Sequence, residues 1–407
     1  MCVNCQNTME PIRFFLNQKP VLPDAPIGSY GAENAKRVQA WHRSFPDYQE
    51  TPLHRLDHLA EHLGLSAVFV KDESSRFGLN AFKGLGGSYA IGRVLAERLG
   101  CCPADLPFPV LTGADVRIAL GDMTFVTATD GNHGRGVAWT AHCLGQKSVV
   151  YLPRGSAPER LANIQALGAE AYITDLNYDE AVRLAARQAE ENGWILIQDT
   201  SWEGYQKIPG WIMEGYTTMG AEIIGQLDGV RPTHVFLQAG VGAMAGAMTA
   251  FFSDYYGKDR PRIIIVEPQK ADCLFRSAAA PDGAIHAVTG DMDTIMAGLA
   301  CGEPCGIAWP ILRQYADAFL SVPDELAARG MRVLGNPAGD DPRIISGESG
   351  AAALGAMTEI VRGRRYEPLR AALELDENAS ALFISTEGDT DRENYRRIVW
   401  DGCFVSG

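Results

Sequence analysis

The chain has 407 residues, 46% hydrophobic and 21% charged, the balance of an ordinary globular protein with room for two or three domains. A formal net charge of −14 argues against nucleic acid as a partner, because phosphate binding needs clustered Lys and Arg. No apolar run reaches membrane-spanning length and Met1-Cys2-Val3-Asn4-Cys5 opens no basic-then-apolar leader, so no membrane association is expected and the expected compartment is the cytoplasm.

In chain order, Thr51-Pro52-Leu53-His54 reads as a helix N-cap followed by proline in the first turn. His54, His58 and His62 then recur at helical spacing; a solvated polar stripe is expected rather than a metal site, with Leu53, Leu56 and Leu63 as the apolar face. Ala67–Lys71 is strand-like, and Lys83 follows it at the head of Gly84-Leu85-Gly86-Gly87-Ser88, a segment of small residues and helix formers. A lysine at a strand-to-helix junction flanked by small residues can bring its amine to a bound cofactor, for instance as a Schiff base with pyridoxal phosphate; a surface lysine on a first helical turn is the alternative.

Further strands are expected at Thr124–Ala128, Ser148–Leu152, Ala171–Thr174, Trp194–Gln198, His234–Gln238, Ile263–Val266 and Ala381–Ser385, with helices between them such as Ala157–Leu167 and Tyr178–Glu191. This alternation predicts an α/β fold with open, mostly parallel twisted sheets covered by helices, binding ligands at the carboxyl ends of the strands. Pro281–Asp293, rich in Gly, Asp and Ala, is the longest candidate for an irregular, lid-like segment. The nine cysteines show no zinc-ribbon spacing, no metal is expected, and reduced thiols are the expectation for Cys2-x-x-Cys5 and for Cys301 and Cys305, although Cys273 could bridge to either of the latter.

Two turns carry most of the remaining chemistry. Gly240-Val241-Gly242-Ala243-Met244 joins a strand to a helix, so its amides can converge on a phosphate at the positive end of the helix dipole. The same spacing also fits a dinucleotide site, with Glu267 ending the next strand where a ribose-binding acid could sit, and small residues for close packing are a third reading. Thr129-Asp130-Gly131-Asn132-His133 likewise follows a strand and opens a helix, suiting an amino-acid carboxylate, with Asn132 able to donate to the phenolic oxygen of a pyridoxal ring.

Ala81-Phe82-Lys83, Thr129-Asp130-Gly131-Asn132-His133 and the later glycine turn together resemble the fold type II, tryptophan-synthase-β-like pyridoxal-phosphate enzymes. Asp130 stands where the serine and threonine dehydratases of that group carry a small neutral residue. With Lys71-Asp72-Glu73-Ser74-Ser75-Arg76-Phe77 and Ser385-Thr386-Glu387-Gly388-Asp389-Thr390-Asp391, the chain is similar to the diaminopropionate ammonia-lyases from about Thr51 to Asp391.

The resemblance implies pyridoxal 5′-phosphate as cofactor and α,β-elimination of ammonia from an amino-acid substrate, 2,3-diaminopropionate. Lys83 matches the lysine that holds the cofactor and takes the α-proton of the L-isomer, and Asp130 the aspartate credited with deprotonating the D-isomer. Asn132, Gly240, Val241, Gly242, Ala243, Met244 and Thr386 match cofactor contacts, Thr386 facing the pyridine nitrogen. Thr129, Asp130, Gly131, His133 and Asp199 match the substrate side. It also implies a homodimer, with residues 1–85 and 206–407 as a large cofactor-binding domain and 86–205 as a smaller inserted one. A helix N-cap is the alternative role for Asp130, and a turn cap the alternative for Asp199. The rival functions are a serine or threonine dehydratase, a nicotinamide oxidoreductase built on the Gly240 turn, and a non-catalytic module binding pyridoxal phosphate or an amino acid.

Overall fold

The computed structural model describes residues 9–17 and 25–405. Cys2 and Cys5 lie outside them. Among the described residues, eleven strands form two sheets: β1 (Arg13–Leu16), β2 (Leu53–Arg55), β3 (Ala67–Asp72), β4 (Thr124–Ala128), β5 (Lys147–Leu152), β6 (Glu170–Ile173), β7 (Ile195–Leu196), β8 (His234–Gln238), β9 (Arg262–Pro268), β10 (Ala318–Val322) and β11 (Ser380–Ser385). The larger sheet runs β1-β10-β9-β8-β11-β3-β2, and the smaller β6-β5-β4-β7. The small sheet is all parallel, whereas the large one has a parallel centre and antiparallel edge strands, β1 on β10 and β2 on β3.

Chemistry of the side chains explains this layering. β8, β10 and β11 are buried along their whole length, as continuous apolar strands between two helical layers must be. Parallel neighbours need crossover connections, and helices such as Ala243–Tyr256, between β8 and β9, and Asn132–Cys143, between β4 and β5, supply them. Gly136 lets the small sheet's helix Asn132–Cys143 approach the lysine loop: a Cβ there would sit 2.9 Å from the Gly84 Cα.

Two expectations fail near the start of the chain. Thr51-Pro52 leads into strand β2, with Leu53, His54 and Arg55 paired to Lys71, Val70 and Phe69. The Pro52 carbonyl accepts from the Asp72 amide at 2.9 Å, and the Thr51 hydroxyl donates to Glu73 at 2.6 Å instead of capping a helix. The helix starts at Asp57 and ends at Leu63 before left-handed Gly64, so His54 stands apart from His58 and His62 and the three share no helix face. Local sequence favoured a helix start; long-range hydrogen bonds decided for the sheet edge.

Those bonds belong to a closed ion cluster. Glu222, on helix Lys207–Gln226, receives Lys71 Nζ at 2.6 Å and Arg76 Nη2 at 2.7 Å, and Arg76 Nε reaches Glu73 at 2.8 Å. All four side chains are fully buried, and the two cations balance the two carboxylates. The cluster pins the segment ahead of Lys83 to that helix. Glu222→Gln, which leaves a buried positive charge uncompensated, is expected to cost about 3–5 kcal/mol in urea unfolding; a loss below about 1 kcal/mol would mean that the cluster is not closed.

Candidate active site

Lys83 does not directly follow β3. A 3₁₀ segment, Glu73–Gly78, intervenes, and left-handed Phe77 and Asn80 turn the chain back across the sheet. Ala81 bridges to Glu387, and the Phe82 amide donates to the Thr386 carbonyl at 3.0 Å, so the loop after β11 fixes the position of Lys83. From there its amine forms an ion pair with the Asp199 carboxylate. Burial alone would press the amine down, but Asp199 outweighs it and holds the ammonium above the usual lysine range. Burial likewise opposes ionisation of Asp199, yet Lys83 holds its carboxyl well below the usual carboxylate range.

Asp199 is held by residues that the sequence reading did not single out. Its Oδ1 accepts from the Tyr178 hydroxyl and from Gln198 Nε2, both at 3.1 Å. Gln198 is itself clamped to the end of β4, accepting from the Ala128 amide at 3.0 Å and donating to the Ala128 carbonyl at 3.1 Å. His133 lies behind this carboxylate, its Nδ1 3.9 Å from Asp199 Oδ2 and its Nε2 2.8 Å from the Ile197 carbonyl.

The Thr129–His133 turn divides its labour. Thr129 Oγ1 accepts from the amides of Gly131 (2.9 Å) and Gly134 (3.0 Å), so the hydroxyl does the capping that Asp130 could have done. The Asp130 carboxylate is instead turned toward Arg160, 3.4 Å from Nη1, while the same nitrogen bonds the Asp130 carbonyl at 3.1 Å. Burial pushes the Asp130 carboxyl up, against the pull of Lys83 and Arg160. Asn132 donates to Glu387 at 2.5 Å, and Glu387 also accepts from the Ser349 amide at 3.2 Å.

Opposite stands the glycine turn. Gly242, at φ +94°, precedes helix Ala243–Tyr256, and no side chain caps that helix. Gly246 makes the first helical bond, to the Gly242 carbonyl at 2.7 Å, which leaves the amides of Ala243, Met244 and Ala245 ahead of it for another acceptor. A Cβ on Gly240 would lie 3.2 Å from Cys301 Sγ. The Thr386 hydroxyl accepts from Gln238 Nε2 at 2.9 Å, so its own proton can go to a ligand.

One cavity is lined by Lys83, Asp130, Asn132, Tyr178, Asp199, Tyr216, Gly240 to Ala245, Thr386 and Glu387. Thr129, Gly131 and His133 lie outside its lining. Glu267 is elsewhere: it accepts from the amides of Leu274 (2.8 Å) and Phe275 (2.6 Å), capping helix Cys273–Ala279, so it is not placed as a ribose-binding acid. Cys273, Cys301 and Cys305 are buried free thiols, and no bridge joins Cys273 to either of the others.

A second cavity shares Asp130 and Tyr178 with the first and reaches Glu348. Burial and the neighbouring Glu387 push the Glu348 carboxyl up to about 7. The folded chain therefore keeps a proton that the unfolded chain has lost, and stability falls as pH rises from the ordinary glutamate value toward 7. Glu348→Gln is expected to flatten this slope and to add about 1–3 kcal/mol above neutrality, checked by urea unfolding at about pH 5 and about pH 8.

The family model described as pyridoxal-phosphate dependent enzyme matches residues 45–375. The diaminopropionate ammonia-lyase of Salmonella typhimurium is 53% identical over 369 residues, covering 90% of this chain and 91% of that protein. That of Escherichia coli K12 is 52% identical over 376 residues, 92% of this chain and 93% of that protein. The crystal structure of the Escherichia coli enzyme with an aminoacrylate-PLP azomethine reaction intermediate matches at a TM-score of 0.90 and 47% identity, covering 98% of this chain and all of that one. Its complex with D-serine matches at a TM-score of 0.91.

Proposed function

The chain belongs to the pyridoxal-phosphate dependent enzymes, and on that premise we propose that it is a diaminopropionate ammonia-lyase, converting 2,3-diaminopropionate to pyruvate and two molecules of ammonia. The observation that carries this reading is the single cavity holding a lysine amine, three carboxylates, an uncapped helix terminus and a hydroxyl with an uncommitted proton. The residues fit the cofactor. Ala243, Met244 and Ala245 present amides for a phosphate where Gly240 and Gly242 leave no side chain in the way, Asn132 stands for the ring oxygen, and Thr386 for the ring nitrogen.

When bound, pyridoxal phosphate supplies the electron sink that lets an amino-acid Cα lose its proton. Lys83 would hold the aldehyde through its amine and would serve as base toward the Cα proton of the L-isomer. To serve as that base the Lys83 amine would have to be neutral, which would remove the countercharge from Asp199 and let its carboxylate face the β-ammonium of the substrate. A carboxylate and an ammonium about 4 Å apart attract by ~4 kcal/mol at intermediate dielectric, before desolvation is subtracted. Serine carries no such charge, which favours the diamino acid. Asp130 is the second base, reaching the D-isomer from the other face. Thr386, a neutral partner, would not hold the ring nitrogen protonated as a carboxylate would, which favours expulsion of the β-amine.

In this reading residues 86–205, which contribute Asp130, Asn132 and Asp199, form the smaller unit, and residues 1–85 and 206–407 the larger. The family resemblance supports a cytoplasmic homodimer. Among the described residues no helix is long and apolar enough to cross a membrane.

The test is pyruvate formation by the cofactor-loaded protein from L-diaminopropionate and from L-serine. Turnover of the diamino acid at least ~100-fold above serine, in kcat/KM, is expected from the charge difference. Comparable values for the two would make it a serine dehydratase, and bound cofactor without ammonia release from either would make it a binding module.

A further inference from the structure

Tyr216 has a hydroxyl that nothing else in the site accounts for. It lies on helix Lys207–Gln226, is only 1% exposed, and lines the cavity that holds Lys83. Among the described residues its hydroxyl has no hydrogen-bond partner. Tyr178, the other buried tyrosine of the lining, differs, since its hydroxyl donates to Asp199 at 3.1 Å.

Its ring is fixed by the lysine loop itself. It packs on Phe82 with centroids 4.8 Å apart, and a Cβ on Gly86 would come within 2.6 Å of Tyr216 Cε1, so both residues around Lys83 are shaped to this ring. Burial pushes the phenol above its usual range, and the group is therefore a protonated donor at neutral pH. A phenylalanine would fill the same space without burying an unpaired hydroxyl, which costs stability.

We propose that the Tyr216 hydroxyl is a ligand-binding donor, hydrogen-bonded to an anionic oxygen of the reactants in the Lys83 cavity. Two sources offer that chemistry, the cofactor phosphate seated on the Ala243–Ala245 amides and the substrate carboxylate beside Lys83. The inference rests on the cavity being a pyridoxal-phosphate site.

The test compares wild type with Tyr216→Phe in three measurements: the Kd of pyridoxal phosphate for the cofactor-free protein, the KM for diaminopropionate at saturating cofactor, and the Tm of the cofactor-free protein. A donor to an anionic oxygen predicts a ~10- to 100-fold weakening. If it falls on the cofactor Kd, the oxygen is the phosphate's; if it falls on KM with Kd unchanged, it is the carboxylate's. In either case the cofactor-free variant should melt no lower than wild type. Both constants within twofold of wild type, or a lowered Tm of the cofactor-free variant, would overturn the proposal. A wild-type protein that binds no pyridoxal phosphate would sink the cofactor reading itself, a separate result.

Discussion

Lys83→Ala is expected to lower diaminopropionate turnover by about 10⁴-fold or more and to abolish the visible absorbance of covalently held cofactor. Both effects follow from the double role proposed for one amine, as covalent anchor and as base for the L-isomer. The substitution also has a physical cost away from chemistry. Asp199 would keep its bonds from Tyr178 and Gln198 but lose the ammonium that stabilises its charge. Leaving a buried carboxylate without its partner costs about 3–5 kcal/mol. The sign with pH is fixed by the depressed Asp199 pKa: its contribution is present above the ordinary carboxylate pKa and is lost as pH falls through the folded value. The raised Lys83 pKa makes the complementary contribution, present below the ordinary lysine value and lost as pH rises beyond it. Lys83→Ala is therefore expected to destabilise the cofactor-free protein most near neutrality, and adding Asp199→Asn should recover much of that stability without recovering activity. Residual elimination within tenfold of wild type would remove Lys83 from its role.

Strands were legible where burial on both faces leaves an unbroken apolar run, as at Val235-Phe236-Leu237 in β8 or Phe125-Val126 in β4. β10, Ala-Phe-Leu-Ser-Val, carries the same signal but is not among the strands expected from the sequence. β2 was not legible, because its three residues become a strand only through a distant partner and an ion cluster completed by Glu222. The turns that line the cavity could be located because glycine and small polar residues are needed there locally. What those residues do was harder to see. Whether Asp130 caps a helix depends on Thr129 taking the amides, and on Arg160, thirty positions on, turning the carboxylate aside. Glu267 looked free to bind a ribose until the fold set two amides of the following helix against it. Tyr216 gave no local cue at all; only packing against Phe82 and Gly86 brings it to Lys83.

Asp130→Asn should separate the two enantiomers. Turnover of D-diaminopropionate is expected to fall by about 10²–10³-fold, while the L-isomer loses less than about tenfold, because in the proposed two-base reading only the D-isomer presents its Cα proton away from Lys83. Asparagine is nearly isosteric, and the Arg160 contact to the backbone carbonyl at position 130 does not depend on the carboxylate, so the turn should keep its shape. What is lost is the charge. Burial already pushes the Asp130 carboxyl up, and covalent use of the Lys83 amine withdraws one of the two cations opposing that rise. A base must be ionised to act, so wild-type D-activity should decline on acidification at a pH above the ordinary carboxylate range, and this limb should be missing from the L-isomer profile. Arg160→Met tests the same electrostatics from the other side: removing the second cation should move the D-limb to still higher pH and leave the L-isomer profile unchanged. Equal losses for both isomers in Asp130→Asn, or acid limbs that coincide, would leave Lys83 as the base for both and Asp130 as no more than part of the pocket wall.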